Sequence, residues 1–253
     1  MSEEITPKHI ARFVSYKNAL QYDLAPDRST FSLNSTRYYR EHGCEKPNDP
    51  FFDRRENEVD LHKSKKKHIV GGNENLVSCW SILKHPEIDW SVWKKVFPER
   101  PIAILSTVEK VRSLLEQHLD WLIQGSLLRS LELERVRYYE DTESCENLKG
   151  VDPERIPNPV FWKHQRYKNQ EELRFALRLS VHQSSLRTVV FSIQPFQDSE
   201  CSEYVDSIWA DSDRAEDIGD INKLKVYAGL RKIPIHFSVR HEQCELRNGL
   251  VFA

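Results

Sequence analysis

The sequence predicts an α+β fold, a mixed or antiparallel sheet with a few flanking helices. Three observations carry that expectation. Short runs rich in β-branched and aromatic residues recur along the chain. One strongly amphipathic helical stripe stands among them. No repeat, low-complexity tract or evident linker divides the 253 residues, so a single domain over 1–253 is expected.

The first strand is expected over 12–16 (Arg-Phe-Val-Ser-Tyr) and the second over 30–35. Residues 37–67 are polar and charged, carry Pro47 and Pro50, and read as loop with some helix. A third strand over 76–80 follows the Gly71-Gly72 break, and a fourth over 102–105 follows Pro98 and Pro101. Ser106 and Glu109 stand at capping-box spacing, with the Ser hydroxyl accepting from the N3 amide and the Glu reaching back. Val108, Val111, Leu115, Leu119 and Leu122 then form one apolar helical stripe. Strand character returns over 135–139, and residues 142–159 read as loop. Further strands are expected over 173–180, 188–193, 207–210 and 235–239, with a helix over 221–230 between the last two.

Composition narrows the function classes. A hydrophobic share of 39% with 30% charged residues is globular rather than disordered. No apolar run approaches the roughly 20 residues that span a bilayer. Met1 to Glu4 is acidic and leads into no apolar signal core, so a cytoplasmic protein with no membrane partner is expected. The five cysteines are scattered singly without C-x-x-C spacing, which argues for free thiols and against a disulfide framework or a zinc site. A formal net charge of −2 gives no global field for nucleic acid. The one dense basic cluster, over 63–68, reads first as a solvated loop and second as a track for a phosphate backbone. Phosphate-loop, dinucleotide-fingerprint, zincin and nucleophile-elbow motifs are all absent from the sequence. The histidines show no metal-pair spacing on a helix, and no metal is expected.

The segment that carries most chemistry runs from Lys163 to Arg174. Leu173, Phe175, Leu177 and Leu179 alternate and are expected to face the core. Gln170, Glu172, Arg174 and Arg178 then fall on the other face. On an arbitrary strand that face is solvated. Here it begins with an amide and a carboxylate two residues apart and continues with Arg174, which can orient the carboxylate. Phe161, Trp162, Lys163 and Tyr167 come just before it.

The spacing of Lys163, Tyr167, Gln170, Glu172 and Arg174 resembles the C-terminal signature of a widespread prokaryotic domain-of-unknown-function family. That signature has a lysine, an aromatic residue, and then Glu-x-Glu-x-Arg. Other stretches resemble its motifs in the same order. They are Tyr16-Lys17, Asn48-Asp49-Pro50, the strand around Cys79 with Trp90 or Trp93 after it, and Val136-Arg137-Tyr138. The chain departs from the pattern at Gln170, where Glu is usual, and at Tyr167, where Trp is usual. Pro101-Ile102-Ala103-Ile104 replaces a Gly-containing strand. These departures bear on the substrate more than on the fold.

A Gln-x-Glu pair at the head of a strand is also similar to the layout of ADP-ribosyltransferases. That resemblance implies a split-sheet core and NAD as a substrate. Glu172 is then the catalytic carboxylate, stabilising an oxocarbenium-like ribose and bonding its hydroxyl. Gln170 positions the acceptor nucleophile, and Arg174 belongs to the same nucleotide-binding face. Arg12 is the candidate cation for the NAD phosphates or ribose, with Lys17 second; otherwise Arg12 is an ordinary exposed strand-end cation. Ser35 and Thr36 would support the glutamate and ribose, or else simply bond the local backbone. Tyr16 or Tyr38 would stack on nicotinamide, or else are plain core or edge aromatics. Asn48-Asp49-Pro50 reads as a turn or helix start, and Trp80 as core.

Two classes of function stay open on this reading. One is an ADP-ribosyltransferase acting on a macromolecular acceptor, nucleic acid or protein, as a toxin or phage-defence effector with a neutralising antitoxin or chaperone partner. The other is a non-enzymatic nucleotide- or nucleic-acid-binding module of the same fold. Plain NAD glycohydrolysis is the variant of the first with water as acceptor.

Overall fold

A computed structural model describes residues 8–24, 29–35, 58–59, 68–69, 75–124, 128–139, 159–179, 188–193, 204–215 and 218–238. The expected loops over 37–67 and 142–159 lie almost wholly outside them. The architecture is mixed α+β with an open, mixed sheet and few helices. The chain divides into two compact units, each discontinuous in sequence. The first comprises Met1–Phe31, Trp80–Gln117 and Val190–Ala253; the second comprises Ser32–Cys79 and His118–Val189.

In the first unit β1 (His9–Val14) lies between β5 (Asn75–Leu83) and β6 (Ile102–Thr107), antiparallel to both. Ile10 faces Ile82 on one side and Ser106 on the other. Beyond β6 comes β12 (Ser207–Ala210), antiparallel, and then β13 (Ile235–Phe237), parallel to β12. The parallel pair requires a crossover, which the helix α4 (Ile218–Arg231) supplies. Ile102 to Leu105 are all buried, as a strand covered on both faces requires.

One core cluster joins Ala11, Phe13, Leu83, Ile88, Phe97, Ala103 and Leu105, with Trp90 and Trp93 packed against it. Phe13 stacks on Trp93 and Phe97 at centroid distances of 4.6 and 4.7 Å. Burying such a ring contributes about 2 kcal/mol. The tryptophans come from α2 (Trp90–Val96), whose N-cap Asp89 accepts from the Ser91 amide at 2.8 Å. The sequence reading did not anticipate α2, because seven residues are too few to show a helical period. Trp80 is core, as expected, and stacks on Phe31 at 6.4 Å.

Several expected boundaries move, two of them for a clear local reason. β1 ends at Val14, because the Ser15 hydroxyl caps the next turn by accepting from Asn18 N at 3.2 Å. Tyr16 therefore lies in the helical turn α1 (Tyr16–Asn18), which continues into a π-helical turn over Ala19–Asp23. Helix α3 (Val108–Gln124) is capped by Thr107 rather than Ser106: Thr107 Oγ1 accepts from Lys110 N at 3.2 Å. Ser106 still belongs to β6 and donates its hydroxyl to Tyr204 O. The expected stripe is buried at Val108, Val111 and Leu115, joined by Leu114. The side chains of Leu119 and Leu122 lie outside the described residues.

In the second unit β10 (Glu172–Leu179) runs antiparallel to β7 (Leu128–Arg135), from Leu173 opposite Arg135 to Leu179 opposite Leu128. β10 also pairs with β5. β2 (Ser29–Ser35) pairs antiparallel with β5, Asn34 facing Val77. β8 (Arg137–Tyr139) and β9 (Trp162–His164) form a separate parallel ribbon in which Tyr138 faces Lys163. The single strand expected over 135–139 is thus divided at Val136, whose amide donates to Glu172 O at 2.9 Å. β3 (Glu58–Val59) and β4 (His68–Ile69) form a two-residue ladder. β11 (Thr188–Ile193) falls where the sequence placed it.

Candidate functional site

The site is built where β9, the 3₁₀ segment Gln165–Gln170 and the start of β10 follow one another in the second unit. The 3₁₀ segment closes with Glu171 N donating to Lys168 O at 3.1 Å. Glu171 then takes φ 42°, a left-handed conformation that is uncommon for a residue with a side chain. This sharp reversal turns the chain from the helical segment into the strand, and strain of this kind concentrates at functional sites. The backbone of Glu172 is fixed on both sides. Its amide donates to Tyr138 Oη at 3.0 Å, and its carbonyl accepts from Val136 N.

The Glu172 carboxylate receives three charged donors. Arg174 Nε bonds Oε1 at 3.0 Å and Arg174 Nη2 bonds Oε2 at 3.1 Å, a two-pronged fork from the residue two places on along the same strand face. Lys163 Nζ bonds Oε2 at 2.9 Å. The same ammonium bonds Gln170 Oε1 at 2.6 Å and lies 4.8 Å from the centre of the Tyr167 ring. Arg174 Nη1 also donates to Val160 O. Lys163, Glu172 and Arg174 are all buried, with 1%, 6% and 0% of their surface exposed, while Gln170 is half-buried.

The second face of β10 is therefore not solvated at its head. Leu173, Phe175 and Leu177 face the core as expected, but Glu172, Arg174 and Ala176 are buried too. Ala176 packs with Val77, Val160 and Phe161, with Cys79 against them. Only Arg178, farther along, is exposed. Burial pushes the Glu172 carboxyl up, but the Arg174 and Lys163 charges outweigh it and hold it well below the ordinary carboxylate range. The Cys79 thiol bonds the same carboxylate; burial, and then the Glu172 charge, push it up to about 12. Tyr138 is raised to about 12 by the same two causes in the same order.

The structure thus brings together Gln170, Glu172 and Arg174, with Lys163 as the hub. Lys163 was visible in the sequence as a cation just before the strand and as one member of a spaced signature, but nothing in the sequence gave it an amide oxygen and a carboxylate oxygen as partners. Cys79 and Tyr138 reach Glu172 through pairing with β5 and packing of the β8–β9 ribbon, which leave no local mark in the sequence.

Arg12, Tyr16 and Lys17 belong to the first unit. Arg12 is no exposed strand-end cation: it is buried, its Nη1 lies 3.1 Å from Asp23 Oδ1, and its guanidinium lies 5.7 Å from the Phe31 ring centre. Tyr16 is buried and donates to Asp211 O at 3.1 Å; burial, then Asp211 and Asp220, push its hydroxyl well above the ordinary phenol range. Lys17 is exposed. Ser35 ends β2 opposite Leu76, but its side chain, together with Thr36, Tyr38, Asn48-Asp49-Pro50 and the basic run over 63–67, lies outside the described residues. Among the described residues, no group of histidines, cysteines and carboxylates is placed to hold a metal, and no helix is long and apolar enough to cross a membrane.

No family model, no curated protein and no solved structure matches the chain.

Proposed function

We propose that the chain is an NAD-dependent ADP-ribosyltransferase whose site is centred on Glu172 and Gln170. The observation that carries this reading is the shared ammonium. Lys163 Nζ bonds Gln170 Oε1 and Glu172 Oε2 at once and fixes an amide beside an ionised carboxylate at the head of a strand. Cleavage of the nicotinamide–ribose bond builds positive charge on the ribose, and a carboxylate held anionic stabilises that charge without rearranging. Arg174 sets the carboxylate plane through its fork. In this reading ribose approaches Glu172 as Lys163 yields part of its contact, and Gln170 faces the acceptor.

A second reading is favoured by one specific observation. Both Glu172 oxygens are already paired, and only 6% of the residue is exposed. A site in that state serves equally well as the rigid floor of a nucleotide-binding module without turnover.

One experiment separates the two. The purified chain is given labelled NAD with cell extract, nucleic acid or protein fractions. Nicotinamide release or label transfer that is lost in both Glu172→Gln and Glu172→Ala, each shown by circular dichroism to be folded, supports the enzyme. NAD binding without turnover under any acceptor supports the module and ends the enzyme reading.

A further inference from the structure

The outer face of α4 carries residues that its own fold does not call for. Ile221, Leu224, Tyr227 and Ala228 are buried. On the opposite side Ile218, Asn222, Val226, Gly229 and Leu230 fall within about 120° of arc, and all five are exposed. Among the described residues four large hydrophobics stand exposed, and Ile218, Val226 and Leu230, at 67%, 53% and 70%, are three of them. They form a patch on one helix rather than a scatter over the surface. Gly229 lies between Val226 and Leu230 on that patch. Its backbone is helical, and a methyl group added to it would meet nothing within 4 Å, so neither a turn nor a neighbour within the chain requires glycine there. The position that favours glycine is Lys232, at φ 56°, where the helix closes with Ile233 N donating to Ala228 O at 2.9 Å. A side chain is thus missing where the fold could hold one, and the gap lets a second backbone approach the helix.

We propose that this face docks a second copy of the chain, α4 against α4, antiparallel about Val226. Such a pair sets Asn222 of one copy opposite Leu230 of the other and closes as a two-fold dimer. The charges of the helix suit that arrangement. Asp220 and Arg231 lie about 20° apart around the helix, so they share one flank of the face. The two-fold brings Asp220 of each copy to within about one residue rise of Arg231 of the other along the axis. The two helix dipoles also oppose each other. A lipid surface fits less well, because Asn222 and Gly229 interrupt the apolar side that such a surface would bury. One helix pair buries less than the roughly 1,200 Å² at which standard interfaces begin, so the dimer is reversible, with a Kd on the order of 10–100 µM.

The test follows the full chain by sedimentation velocity from roughly 1 to 300 µM, a range that brackets such a Kd. Dimer is expected to grow with concentration. Val226→Glu and Leu230→Glu change exposed positions, so both should stay folded by circular dichroism while raising the Kd roughly tenfold or more. Gly229→Ala should act with opposite signs on fold and association. At the dilute end it should raise the melting temperature by about 2 to 4 °C, because alanine favours the helix. It should also weaken the dimer about tenfold, because the methyl group fills the space the other copy enters. Arg231→Glu and Asp220→Lys should each weaken self-association, and an equal mixture of the two should restore it, which only antiparallel pairing allows. A chain that stays monomeric throughout overturns the proposal. So does a dimer indifferent to Val226→Glu and Leu230→Glu, or one tightened by Gly229→Ala. A mixture that fails to restore association overturns the antiparallel pairing. Binding to anionic phospholipid vesicles that Leu230→Glu abolishes, with no dimer in solution, assigns the face to lipid instead and overturns the proposal as well.

Discussion

Removing the Lys163 ammonium deprives two oxygens at once, Gln170 Oε1 at 2.6 Å and Glu172 Oε2 at 2.9 Å. Lys163→Met keeps most of the length of the side chain and deletes the charge. Arg174 still holds Glu172, but the buried carboxylate loses one of its two cations, and a broken buried pair costs about 3 kcal/mol. Gln170→Ala removes one half-buried amide and should cost about 1 kcal/mol. Urea denaturation of both variants and of the double variant checks this. The double variant should be less destabilised than the sum of the two, because the lost Lys163–Gln170 bond is counted in each single change. At this scale the sequence was legible in part. Strict alternation assigned Leu173, Phe175 and Leu177 correctly to the core. It could not tell whether Glu172 and Arg174 meet water or protein, because that depends on what covers the other face: Val160 and Phe161, folded back from just before the strand, and Cys79, from a segment far away in sequence. Arg12 is similar: its burial against Asp23 depends on a π-helical turn that no periodicity announces.

Elements were more legible than their junctions. β11 and β12 fall where their aromatic and β-branched residues placed them, and the stripe on α3 is buried where it is described. The α3 cap moved by one residue, because Ser106 and Thr107 both carry a capping hydroxyl and local sequence does not rank them. Tertiary contact ranks them: both lie in the ladder, Ser106 opposite Ile10 and Thr107 opposite His9, but the Ser106 hydroxyl is taken up by Tyr204 O, and the Thr107 hydroxyl turns onto Lys110 N. Loss of an N-cap typically costs about 1 kcal/mol. Thr107→Ala should lose that amount in urea denaturation, and Thr107→Ser should restore most of it. Ser106→Ala forfeits the Tyr204 contact instead and leaves the cap of α3 intact, so amide exchange in the first turn of α3 should quicken in Thr107→Ala alone.

Across the whole molecule, the groups around Glu172 set a window of stability in pH. On the acid side, Glu172 is held below its ordinary range when folded, so the unfolded chain binds its proton first as pH falls. Its contribution is fully present above the unfolded value of about 4.3 and is lost as pH drops below it. On the alkaline side the sign reverses. Cys79 and Tyr138 are raised to about 12 when folded, above the ordinary thiol and phenol values of about 8.5 and about 10, so the unfolded chain loses those protons first. Their contribution is present below about 8.5, the ordinary thiol value, and is lost as pH rises toward 12. Each proton taken up or released unequally gives a slope of about 1.4 kcal/mol per pH unit. Urea denaturation from pH 3 to 11 should therefore show a plateau bounded by falling limbs below about 4.3 and above about 8.5. Cys79→Ala removes one of the alkaline protons and should make that limb shallower while leaving the acid limb in place. An alkaline limb of unchanged slope in Cys79→Ala would mean that the thiol is not shielded beside Glu172, and would remove Cys79 from the site.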